Sequence, residues 1–200
     1  MAVGFPTKTT FTDGSTLAAS DLNDITGTLN TIVNGGGYYA IGGLQLVKTQ
    51  TIGSAVTSVA VTSAFNATYD NYRIIINGGV GSASSGIMRL QLGSVTTGYY
   101  SNYIYAPYAG GSVVCAANNN GANFSYAGIA DTVNLNAQIE INSPYLAKQK
   151  MISSTYYDAA NTGRTQGLCS DQNSQTTFTI SLASGTMTGG TIYVYGYYKG

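Results

Sequence analysis

Two spacings of apolar residues divide this chain. Leu22, Ile25, Leu29 and Ile32 recur at steps of three and four, so they line one side of a helix. From Leu44 onward the period changes to two. Tyr72, Ile74 and Ile76 share one face of a strand whose other face carries Arg73 and Ile75; Met88, Leu90 and Leu92 oppose Arg89 and Gln91. The cleanest alternation sets Leu135, Ala137, Ile139 and Ile141 against Asn136, Gln138, Glu140 and Asn142, the pattern of a strand with one wet face. Leu44 with Leu46, and Val56, Val59 and Val61 in a Ser/Thr background, add further strands, and Thr191 to Lys199 reads as a tyrosine-rich closing strand. About nine to eleven short strands separated by Gly, Asn and Ser turns predict a mainly β fold, an antiparallel β-sandwich of jelly-roll type.

The helical stripe is narrow, with Asn23, Asp24, Thr28 and Asn30 around it. Leucine at the a positions and isoleucine at d favour more than two strands in coiled coils, which predicts an oligomerising plug of about two heptads. Gly27 inside it costs roughly 1 kcal/mol relative to alanine, so the helix is expected to form only in company. A helix packed against its own domain is the other reading of the same stripe. The start is set either by Ser20 as N-cap or by Ala18, with Leu17 and Leu22 as a hydrophobic staple. Residues 34–43, NGGGYYAIGG, are too rich in glycine for a regular element and read as a hinge. Three segments are therefore expected: 1–33 for attachment and oligomerisation, the hinge at 34–43, and a β-domain over 44–200.

Composition narrows the function classes. Charged residues make up 8% of the chain, against about 25% in ordinary soluble proteins. The eight basic and eight acidic residues are scattered singly, and such a surface is not that of a nucleic-acid binder. No apolar run approaches the length that spans a bilayer, and Met1 to Asp13 has no signal-peptide core, so a soluble protein made in a cytosol is expected. Histidine is absent, which removes the commonest general base and metal ligand. Cys115 and Cys169 are the only cysteines; a buried thiol is the ordinary reading, and their spacing does not decide whether they meet.

What acid–base chemistry remains would fall to carboxylates, and Asp131, Glu140, Asp158 and Asp171 are the ones to consider as a glycosidase-type pair. Glu140 sits on the polar face of an alternating strand and the others stand in loops, where solvated or turn-forming roles account for them. Asp13-Gly14 and Asp70-Asn71 are turns rather than calcium loops. No enzyme, cofactor or metal is expected. The distinctive stretch is tyrosine-rich: Tyr99, Tyr100, Tyr103, Tyr105 and Tyr108, followed by Asn118, Asn119 and Asn120. Broad rings with a hydrogen-bonding tip beside adaptable amides suit a sugar or protein surface; the same tyrosines also suit the core and subunit interfaces of a chain without tryptophan.

Phe11-Thr12-Asp13-Gly14-Ser15-Thr16-Leu17-Ala18-Ala19-Ser20-Asp21-Leu22-Asn23 resembles a segment found near the start of bacteriophage virion proteins, especially tail fibres, which typically runs F-x-D-G-x-x-L-T-A-A-D-L-N. Ala18 and Ser20 depart from that pattern. Tyr69-Asp70-Asn71-Tyr72-Arg73-Ile74, Arg89-Leu90-Gln91-Leu92 and the run Gly189 to Tyr197 look like β-sandwich domains of phage appendages. The resemblance implies a homotrimer whose N-terminal segment, with Phe5, Phe11 and Leu17 as anchors, docks on other virion proteins. Its seam would be Leu22, Ile25, Leu29 and Ile32, and its β-domain would meet a host-surface glycan or protein. A short tail fibre or spike in the virion is the expectation, with a capsid decoration or head-fibre protein as the alternative.

Overall fold

The computed structural model describes residues 43–199, where every regular element is a strand. In chain order these are β1 (Leu44–Thr51), β2 (Ser58–Val61), β3 (Asn71–Asn77), β4 (Val80–Gly81), β5 (Gly86–Leu92), β6 (Tyr99–Pro107) and β7 (Val114–Gly121). They continue with β8 (Phe124–Ala130), β9 (Leu135–Asn142), β10 (Lys150–Tyr157), β11 (Asn161–Cys169), β12 (Phe178–Leu182), β13 (Met187–Thr188) and β14 (Thr191–Tyr197). Every ladder is antiparallel. The mainly β, antiparallel expectation therefore holds. The strands number fourteen, more than expected, because β4 and β13 are too short to show a period and β7 runs through the asparagines with no apolar alternation. Leu22, Ile25, Leu29 and Ile32, the anchors Phe5, Phe11 and Leu17, the helix they define and hinge residues 34–42 lie outside the described residues.

The alternating faces fold as their pattern dictates. Tyr72, Ile74 and Ile76 of β3, Met88, Leu90 and Leu92 of β5, and Leu135, Ala137, Ile139 and Ile141 of β9 are all buried. So are Phe178 and Ile180 of β12 and Ile192 and Val194 of β14. Each large apolar side chain so placed contributes about 1.5–3 kcal/mol relative to leaving it in water. Phe65 links two parts of this core: its ring stacks on Phe178 at 5.5 Å and meets Tyr72 edge-on at 4.9 Å. Leu44 and Leu46 stay exposed on edge strand β1, where the register shifts between Leu46 and Lys48 and Gln45 accepts the Tyr69 hydroxyl at 2.6 Å.

A single branch organises the topology. Along one edge β9 pairs, from Asn136 to Asn142, with the whole length of β3. Along the other it pairs first with β8, through Ala130 and Ile129, and then with β10 from Gln138 to Asn142. β3 continues to β14 and β1, β8 to β5, β12 and β2, and β10 to β11, β6 and β7. After leaving β9, β8 lies over one face of β10 and β11. The Ser154 hydroxyl donates to Ala127 O at 2.6 Å and the Thr165 hydroxyl to Tyr126 O at 2.7 Å. Gly167 leaves room for this approach. A Cβ there would stand 2.7 Å from the Ser101 side chain of neighbouring β6 and 3.0 Å from Phe124 of β8, while one on Gly163 would stand 2.5 Å from the Tyr156 ring of its own partner strand, β10.

Between Met88 and Leu90 the β5–β8 register shifts, and Tyr126 in that bulge takes a φ of 56°. A bulge with one residue in the left-handed region re-aims the side chain it carries. Here it lays the Tyr126 ring on Tyr103 and Tyr105, with centroids 4.0 and 6.0 Å away.

Candidate binding groove

With β8 on one face of β10 and β11, the residues of opposite parity face outward. β10 alternates strictly: Lys150, Ile152, Ser154 and Tyr156 are buried, while Met151, Ser153, Thr155 and Tyr157 are exposed. The registers of four ladders then line up two rows on that outer face. Asn142, Met151, Leu168 and Tyr100 are successive cross-strand partners from β9 to β6. One pair further along, Ser153 faces Gln166, Gln166 faces Asn102, and Asn102 faces Ala117 of β7. Rows two residues apart lie about 7 Å from each other.

These rows floor an open groove of about 740 Å³, closed at the β7 end by Asn118 and Asn119. Its apolar row is Met151, Leu168 and Tyr100; its polar row is Ser153, Gln166 and Asn102. Among the described residues, no Asp, Glu, Lys or Arg lines it. Glu140, opposite Ser153 at the β9 end, is held elsewhere: Arg73 Nε lies 3.2 Å from its carboxylate and the Tyr197 hydroxyl donates to it at 2.6 Å. The Arg73 N–H is not aligned for a hydrogen bond, so that contact is Coulombic, and Arg73 donates instead to Gln138. Burial and the Glu140 carboxylate push the Tyr197 phenol pKa up.

The predicted contact residues divide between the two faces. Tyr100, Asn118 and Asn119 line the groove. Tyr99 does not contact solvent at all: it is fully buried, packs edge-on against Phe124 at 4.8 Å, and its hydroxyl accepts Leu92 N–H at 2.8 Å. Burial pushes its phenol pKa upward. It is a core residue, and its place as a receptor contact is corrected by its parity on β6. Tyr103 and Tyr105 share that parity and stack on Tyr126. Tyr108 is exposed beyond the end of β6, and Asn120 takes a φ of 53° while its side chain accepts Gly98 N–H at 2.9 Å. Sequence reasoning passed over Met151, Ser153, Gln166, Leu168, Asn102 and Asn142. The alternation within Lys150–Tyr157 marks Met151 and Ser153 as outward, but nothing local places them beside Tyr100.

The four carboxylates each have a structural partner. Asp131 is buried and accepts Thr132 N–H at 2.6 Å and Ala159 N–H at 2.9 Å. Asp158 is also buried and accepts the Ser85 hydroxyl and the N–H groups of Ala160 and Asn161. Asp171 lies 3.7 Å from the buried Lys150 ammonium. Among the described residues no group of His, Cys, Asp and Glu is arranged to hold a metal ion, and no helix is long and apolar enough to cross a membrane. Both thiols are free: Cys169 is buried, whereas Cys115, on edge strand β7, is exposed and departs from the buried reading.

Compared with protein-family models, curated proteins and solved structures, the chain matches none.

Proposed function

We propose that this chain is a non-enzymatic structural protein of a bacteriophage virion, a short trimeric tail fibre or spike. It attaches to other virion proteins through residues 1–33 and meets the host surface with its β-domain. The N-terminal likeness to phage appendage proteins supports the context. The observation that carries the binding role is the groove, where Tyr100, Asn118 and Asn119 meet outward residues of three neighbouring strands on one uncharged floor. We read the domain as a β-sandwich of jelly-roll type. The passage of β8 across β10 and β11, and the packing of Phe65 between β12 and β3, are what favour two layers.

The deciding measurement is binding of the purified full chain to intact bacterial cells, together with its copy number per virion. Tens of copies and cell binding fit the fibre. Hundreds of copies, with binding to assembled capsids alone, would instead make it a capsid decoration or head-fibre protein.

A further inference from the structure

We infer that the groove takes a linear run of uncharged sugars laid across the strands, an inference that rests on the surface-binding role proposed above. The two rows carry it. Met151, Leu168 and Tyr100 form an apolar ledge that matches the C–H faces of sugar rings, and Ser153, Gln166 and Asn102 form a parallel rail of hydroxyl and amide groups. An amide presents donor and acceptor side by side, as a sugar hydroxyl does within one group, so neither is left unpaired when water is expelled.

Charge and shape narrow the class. With no acidic or basic side chain among the described residues of the lining, a phosphate or carboxylate on the ligand would lose water without gaining a counter-charge there, which selects against anionic polymers. The rows span β9, β10, β11, β6 and β7; at about 4.8 Å between strands that is about 19 Å, a track for a chain rather than for one ring. Its side chains stand on paired strands, so little backbone has to be ordered on binding. A protein partner held tightly would call for several buried aromatic or arginine anchors, and among the described residues Tyr100 is the only such side chain in the lining.

The test uses the full chain on an array of neutral and anionic bacterial polysaccharides, with oligosaccharides from single residues to hexamers, and in parallel on intact cells before and after periodate oxidation of vicinal diols. Neutral chains are expected to bind, tetramers more than about tenfold tighter than monomers, and the double variant Asn102→Ala, Gln166→Ala to bind about tenfold more weakly or worse. Thr49→Ala on β1 serves as the surface control, and unchanged thermal midpoints establish that the variants are folded. Anionic polymers binding tighter, no gain with length, or full binding by a folded double variant each overturns the inference. Cell binding that survives periodate but not protease also overturns it and leaves the surface-binding role standing. Array binding with no cell bound removes that role and leaves the sugar site. Silence on both arms removes both.

Discussion

Lys150 closes the loop that follows β11. Its side chain is fully buried, and its ammonium donates to the carbonyls of Asp171 at 2.9 Å and Asn173 at 2.5 Å, with the Asp171 carboxylate 3.7 Å away. Burial lowers its pKa, and the Asp171 charge opposes that shift. Lys150→Met keeps most of the apolar stem but leaves two carbonyls without their donor and removes the cation beside the Asp171 carboxylate. A loss of about 2–4 kcal/mol is expected in urea unfolding. Asp158 and Asp171 predict the acid limit. Burial raises both pKa values, but hydrogen bonds outweigh it: Ala160, Ser85 and Asn161 on Asp158, and Asn173 and Gln175, with the Lys150 charge, on Asp171. Both groups therefore titrate lower in the folded chain than in the unfolded one. Their stabilisation is complete above the unfolded value near about pH 4 and is lost as pH falls through the folded values. The thermal midpoint should accordingly be steady near neutrality and drop below about pH 4, and Asp158→Asn should make that drop shallower.

At the scale of elements, the chain depends on close approaches where glycines leave room, Phe124 of β8 at Gly167 and the Tyr156 ring of β10 at Gly163. Gly167 stands opposite Ser101 and beneath the Phe124 ring, and a methyl group there meets Tyr100 O at 2.6 Å as well. Backbone and a packed ring cannot swing aside as a flexible side chain can. Gly167→Ala is expected to cost about 1–3 kcal/mol, read as a lower urea midpoint. A sequence reader sees in Gly163 and Gly167 only weak points in a strand pattern. Their role appears once their neighbours are known, Phe124 of β8 at Gly167 and Tyr156 of β10 at Gly163, and the Tyr126 bulge is hidden for the same reason: a register shift depends on both strands. The alternation in β3, β5 and β9, by contrast, was fully visible, since period two needs no partner to be seen.

At the scale of the whole molecule the prediction concerns assembly, which the helical spacing of Leu22, Ile25, Leu29 and Ile32 in the sequence would place on a seam. A two-heptad helix with Gly27 inside it would be marginal alone, so the proposed trimer and helix should form together. The intact chain is expected to sediment as a trimer and the Leu22→Asp, Leu29→Asp double variant as a monomer, because a charge at the centre of such a seam has no partner. The same oligomeric state in both would place the contacts elsewhere. The exposed side chains near edge strand β7, Val113, Val114 and Cys115, are then the first place to look.

The sequence by itself determined which residues of each long strand share a face and the scarcity of charge that leaves the groove neutral. These follow from local periodicity and composition. Only the tertiary structure decided which strands lie side by side and which face β8 covers. Met151, Leu168 and Tyr100 stand in one row because two ladders share a register, and backbone hydrogen bonds, which are alike for every residue, carry no trace of that pairing in the sequence. Tyr99 and Tyr100 show the consequence most plainly. They are neighbours in the chain with the same ring, yet the covered face of β6 takes one into the core and the uncovered face presents the other to the groove.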